Sequence, residues 1–259
     1  MKNIPTVSVL INSLDDTSRQ VLSIFNLYKK SYILNGHRNF FNLEVLVSGT
    51  MPEVIKNYHD DKLNTSDMTS ENFDKITFVE DQGTSVSSIN EMFRKSTGDY
   101  ILNLNGSTLP QGNFFNLFIE LKKQEEAGCE MAITSMKPSS KDTCWIPQWA
   151  SDASNLGVSG DHRPQILRCP SFSRNTIEKH LGGVIFNSSF RHHYVDNWLG
   201  HFCYLFGEEK TETASSCWTD INVGQTTKHD AHDKAVYLEL STAAKELKSK
   251  MSYNHKVNV

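Results

Sequence analysis

No stretch of this sequence is apolar for long enough to cross a membrane. The opening residues, MKNIPTVSVLINSLDD, hold only a short apolar run and then an acidic pair, where a secretory leader would show a longer apolar core and a small-residue cleavage site. Basic clusters are missing too. The chain has 26 Lys and Arg against 30 Asp and Glu, a net charge of -4. No basic stripe offsets this balance, so a nucleic-acid partner is excluded. Cysteine is sparse: the five residues Cys129, Cys144, Cys169, Cys203 and Cys217 are odd in number, widely spaced and form no CxxC pair. That usage predicts reduced, buried thiols in a cytoplasmic protein. The Asn-x-Ser/Thr matches at Asn64, Asn105 and Asn187 are then chance. There is no internal repeat and no low-complexity tract.

What remains is enough for a large core, with 38% hydrophobic residues over 259 positions. TVSVLIN (Thr6 to Asn12) is a β-branched run suited to a strand buried on both faces. Val21, Ile24, Phe25, Tyr28 and Tyr32 then fall at helical spacing behind the capping cluster DDTS. LEVLVSG (Leu43 to Gly49) and KITFVED (Lys75 to Asp81) read as further strands, and Val86, Ile89, Met92 and Phe93 mark a helix ending near Gly98. GDYILNLNGSTLP (Gly98 to Pro110) supplies a fourth strand that closes on a polar Asn-Gly-Ser. Asn-Gly is a good turn former, yet strand ends of this kind also deliver residues to a binding crevice. A helix over Phe114, Leu117, Phe118 and Leu121 and a strand over Cys129 to Met136 complete the alternation. The order predicts an α/β fold with a mostly parallel central sheet and helices on both faces.

Residues 137 to 165 read as a long polar loop, and loops of that length inside a domain are commonly functional or mobile. QILRCPSFSRNTIEKHLGGVIFN reads as a strand, a short helix and the start of another strand. Tyr194, Trp198, Phe202 and Leu205 share one helical stripe, and Lys234 to Met251 form an amphipathic helix. The expected division is a domain over 1–225 and a C-terminal helical extension over 226–259.

Gly83, Asn90, the GDYIL of Gly98 to Leu102 and Leu109-Pro110 together resemble the nucleotide-sugar domain of the family 2 inverting glycosyltransferases, which have the GT-A fold. The likeness runs over roughly residues 5 to 136. It has a downstream counterpart in HHYVDNWLG (His192 to Gly200), where Asp196 takes the position of the family's catalytic base. The resemblance implies transfer of a sugar from a nucleotide-sugar donor to a glycan or glycolipid acceptor. It also implies a divalent metal, manganese or magnesium, on the donor diphosphate, held by an Asp-x-Asp motif.

Here that motif is Asn105-Gly106-Ser107, and VSGT (Val47 to Thr50) stands where the family has an acidic strand end. Neutral oxygens bring no charge to a metal. On the resemblance, Asn12, Ser48, Asn90, Asn105 and Ser107 border the donor, and His229 is the candidate metal ligand late in the domain. Arg174, Lys228, His229 or backbone amides are candidates to stabilise the leaving group. Asp196 is equally suited to favour a helix dipole from the first turn. Trp145, Trp149 and Trp198 offer stacking faces for an acceptor sugar, or core packing. Lys245, Lys248 and Lys250 allow peripheral membrane contact. A non-catalytic nucleotide- or sugar-binding protein on a degenerate scaffold is the competing reading.

Overall fold

The computed structural model describes residues 4–13, 40–49, 75–104, 108–112, 114–129, 131–138, 169–206, 211–220 and 229–257. The predicted first helix lies outside these residues, as does the long loop except for Lys137 and Pro138, which end a strand. Strand β1 (Thr6–Ser13) runs parallel to both its neighbours, β2 (Asn42–Gly49) and β4 (Tyr100–Leu104), and β2 runs parallel to β3 (Lys75–Val79). Beyond β4 the sheet changes character. Strand β7 (Pro170–Ser173) is antiparallel to β4 and to β6 (Ile133–Pro138), β6 is parallel to β8 (Thr211–Asp220), and β8 is antiparallel to β5 (Thr108–Gly112). Eight described strands thus form one mixed sheet in the order β3-β2-β1-β4-β7-β6-β8-β5.

Period-two alternation sorts the strand residues into two layers. Val7, Val9 and Ile11 of β1, Leu43, Val45 and Val47 of β2, and Tyr100, Leu102 and Leu104 of β4 pack with Phe114, Phe115, Leu117, Phe118 and Leu121 at helix α2 (Asn116–Glu126). Leu10, Leu46 and Ile101 face the other way. They meet Val86, Ile89, Met92 and Phe93 of helix α1 (Ser85–Lys95), with α3 (Arg174–His180), α4 (Val195–Phe206) and α5 (Asp230–Val257) completing that layer. Helices therefore cover both faces, as the element order predicted.

On the α1 face the positions two residues either side of Leu10 and Leu46, and two after Ile101, are polar, and they divide by end. At the N-terminal edge Ser8 donates to Glu44 Oε2 at 2.6 Å, and Glu44 also accepts the Thr97 amide at 2.8 Å. Gly98 brings its amide to within 2.9 Å of Ser8 Oγ. A Cβ at position 98 would lie 2.3 Å from that hydroxyl and 2.6 Å from the Ser8 nitrogen, so only glycine fits. Asp99 accepts the Thr6 amide at 2.8 Å and Tyr100 enters the core, which explains the Gly-Asp-Tyr sequence as a fastening for the start of β1.

The structure departs from the sequence reading in three places. The strand expected from Cys129 begins at Ile133, and Cys129 is half-buried where Cys169 is fully buried. Strands β5 and β8 were not anticipated. The strand start expected around Val184 is absent, because the Ile185 and Phe186 amides donate to Asn90 Oδ1, both at 3.1 Å, in place of a neighbouring strand.

Candidate functional site

In an open α/β sheet, ligands bind beyond the carboxyl ends of the strands where the winding reverses. Here that point is the end of β1, because β2 and β3 are laid down on one side of it and β4 on the other. The polar residues of the α1 face converge there. Asn12 is in register with Ser48, and Asn103 pairs with Leu10, one step back on the same face. Adjacent strands are ~4.8 Å apart, so these side chains form a row roughly 10 Å across. Asn12 is 6% exposed, Ser48 1% and Asn103 3%. Asn12 Oδ1, Ser48 Oγ and Asn103 Oδ1 are buried with no hydrogen-bond partner among the described residues. Each such group costs ~1–3 kcal/mol. A row of them at a switch point is what a ligand carrying N–H or O–H donors would satisfy.

Helix α1 starts just after β3, above this end of the sheet. Gly83 takes φ +79°, its amide donates to Asp81 Oδ1 at 3.1 Å, and Ser88 donates to the same oxygen at 2.8 Å. Thr84 caps the helix by accepting the Ser87 amide. Asn90, predicted at the donor, has its amide committed elsewhere: Nδ2 donates to the Phe186 carbonyl at 2.8 Å while Oδ1 receives the two amides of 185 and 186. It clamps the segment after Gly182 and Gly183, both at positive φ, against α1.

That segment leads into Asp196. The Val86 amide donates to the Arg191 carbonyl at 3.2 Å, and Ser85 Oγ lies 2.6 Å from His192 Nδ1. Burial, then the neighbouring His193, holds His192 down to a pKa of about 4, so it is neutral at pH 7. Asp196 is half-buried in the first turn of α4, and its Oδ1 accepts the Asn197 amide at 2.9 Å. Trp198 is half-buried against the apolar layer, 6.0 Å from the His201 ring and 6.1 Å from Phe202. His229 is half-buried where α5 begins, its carbonyl accepting the Asp233 amide at 2.9 Å.

Asn105, Ser107, Trp145, Trp149 and Lys228 lie outside the described residues, although Asn105 directly follows the last residue of β4. Arg174 is not at this end of the sheet. It donates to the Gly98 carbonyl at 2.6 Å and to Ser96, and its guanidinium lies 4.8 Å from the centre of the Phe93 ring, all at the N-terminal edge, which removes it as a leaving-group partner. Asn103 was missed by sequence reading. Its signal was a polar residue inside a strand whose neighbours are all core.

No family model matches the chain, and no curated protein matches it in sequence. Solved structures do match. S. aureus TarS 1–349 in complex with UDP-GlcNAc superposes with a TM-score of 0.52 at 10% identity, covering 85% of this chain and 60% of that one. The fold is GT-A. The mannosyltransferase PcManGT of Pyrobaculum calidifontis, in complex with GDP-Man and Mn2+, gives 0.52 at 14% identity over 89% of this chain and 60% of its own. Glucosyl-3-phosphoglycerate synthase of Mycobacterium tuberculosis, in complex with Mn2+, UDP and phosphoglyceric acid, gives 0.52 at 12% over 94% and 78%. The chain thus spans about 60% of the TarS and PcManGT chains it resembles. As in any GT-A protein, the crevice at the end of β1 is the place to look for chemistry. No described helix is long and apolar enough to cross a membrane.

Proposed function

We propose that this chain is an inverting glycosyltransferase that moves a sugar from a nucleotide-sugar donor to a glycan or glycolipid acceptor. The observation that carries the proposal is the row of unpartnered buried oxygens, Asn12 Oδ1, Ser48 Oγ and Asn103 Oδ1, at the switch point of a GT-A fold. The bound neighbours, with UDP-GlcNAc and with GDP-Man, support a nucleotide sugar as the donor. Asn12, Ser48 and Asn103 would face the nucleoside and Asn105 and Ser107 the diphosphate, while Asn90 holds the loop beside them. Asp196, at the start of α4, takes the proton from the acceptor hydroxyl. That oxygen attacks the anomeric carbon from the face opposite the diphosphate, which departs with the bonding electron pair. Backbone amides, Lys228 and His229 are the remaining candidates to meet the charge that develops on it. Trp145, Trp149 and Trp198 would offer the acceptor its stacking surface.

Neighbours of this fold carry Mn2+. The described donor set at the strand ends is three neutral oxygens with no carboxylate, and no described group of three His, Cys, Asp or Glu converges to hold a metal. Such a set does not fit a divalent ion, and no step above is routed through one. A cytoplasmic location belongs to the same reading, supported by five widely spaced cysteines with no CxxC pair.

The same neutral site favours a second reading, a nucleotide- or sugar-binding protein without turnover. Release of nucleoside diphosphate from UDP-GlcNAc and GDP-Man, with and without an oligosaccharide acceptor, separates the two. Turnover that disappears in Asp196→Asn while donor affinity stays the same supports the transferase. Donor binding with no release under any condition leaves the binding protein.

A further inference from the structure

Residues 191–194 form a short strap between the α1 layer and helix α4, and its conformation is unusual. Three successive amides converge on one carboxylate: Arg191 N donates to Asp233 Oδ1 at 3.0 Å, and His192 N and His193 N donate to Oδ2 at 2.8 and 2.7 Å. Consecutive N–H groups that point to one side make a backbone nest for an anion. In this fold the anion is internal, the side chain of Asp233 in the first turn of α5, 0% exposed. His232 Nδ1 lies 2.8 Å from the same carboxylate. Burial alone would push the Asp233 pKa up, but these hydrogen bonds outweigh it and hold the group below the usual carboxylate range.

The next residue, Tyr194, has φ 60°, the left-handed region that a side chain enters at a cost of ~1–2 kcal/mol. Its hydroxyl donates to Asp230 Oδ1 at 2.6 Å, also in the first turn of α5. Its carbonyl accepts the Trp198 amide at 2.8 Å, which is where the helical bonding of α4 begins. An unbroken chain of fixed groups therefore runs from Asp233 through the nest and Tyr194 to the turn that holds Asp196.

We infer that Asp233 is a positioning residue: it sets the strap and thereby the direction in which α4 presents Asp196. The inference rests on the reading of Asp196 as the base. It assigns the start of α5 a part in the site, so the 226–259 extension supplies more than packing. An error of ~1 Å in a reacting group costs about a hundredfold in rate, whereas the donor row on β1, β2 and β4 makes none of these contacts.

The test is Asp233→Asn, whose amide nitrogen would present hydrogens to the strap's own N–H groups. Amide exchange is expected to speed up at least about tenfold at 191–193 and 195–200 and to stay unchanged in β1, β2 and β4. With GDP-Man or UDP-GlcNAc, whichever the wild-type chain turns over, kcat is expected to fall ~10–100-fold while donor KM holds within about twofold. A loss of folded enzyme would instead speed exchange in β1, β2 and β4 as well. Unchanged exchange in the strap overturns the inference. So does protection lost in the strap with kcat unaltered. If Asp233→Asn does not fold, Asp233→Ser, which keeps one acceptor oxygen, is read in the same way. If the wild-type chain turns over no donor, the transferase reading fails by itself, and the exchange pattern alone decides whether Asp233 orders the start of α4.

Discussion

His201 lies on α4 where it packs against α5, fully buried, with Nδ1 3.1 Å from Ser241 Oγ and with Nε2 lacking any partner among the described residues. The groups around it are the Tyr237 ring at 6.2 Å, the Trp198 ring at 6.0 Å and the Lys245 ammonium. Burial, then Lys245, lowers its pKa from 6.5 to about 4. The folded state therefore keeps it neutral while the unfolded chain takes up a proton below pH 6.5. Stability is present in full above that value, falls as the pH drops through the window between 6.5 and 4, and levels off below it. Linkage over that window gives a loss of about 2 kcal/mol between pH 7 and pH 5 from this one group. In His201→Phe the ring contacts are kept and the titration is removed, so the pH 7 to pH 5 loss should shrink by that amount, or roughly 4–8 °C in the midpoint of thermal unfolding. Urea unfolding of both chains at the two pH values measures it. Equal losses in wild-type and variant would refute the claim that His201 is held neutral at the α4–α5 contact.

Gly98→Ala should cost ~1–3 kcal/mol by overpacking, since its Cβ would press on Ser8 where the hydroxyl already serves Glu44; urea midpoints report the loss, and an unchanged midpoint contradicts the close approach. Ser48→Ala should leave the unliganded midpoint unchanged or higher, because it removes an unpartnered buried hydroxyl, and should weaken nucleotide binding by ~2–10-fold. Calorimetric titration checks the second half, and a stability loss without an affinity loss would make Ser48 a core residue. Asp196→Asn should abolish turnover and leave donor affinity intact.

Much of this fold was legible because its central strands are buried on both faces and say so in β-branched and aliphatic residues. TVSVLIN and LEVLVSG became β1 and β2 with ends within a residue of expectation. The edge of the sheet was not legible. TLPQG and TETASSCWTD carry a proline, glycine or small polar residues, and become β5 and β8 only by pairing across about a hundred residues of chain. Ser48 and Asn12 were found because they end recognisable strands, whereas Asn103 was overlooked beside the more conspicuous Asn-Gly-Ser. The Asp233 nest had no local signal. HDAHDK looks like a solvated turn, and its partner amides are some forty residues earlier.

Binding of donor nucleotides tests the central claim most directly, because a ligand that binds only the folded state raises its apparent stability. The unfolding midpoint is followed with UDP, GDP, dTDP and CMP, each with and without manganese, in wild-type and in the Asn12→Ala, Ser48→Ala, Asn103→Ala triple variant. The donor-site account predicts a rise with one of these nucleotides, present without manganese and lost in the triple variant. No rise with any of the four, or a rise that the triple variant keeps, would contradict it.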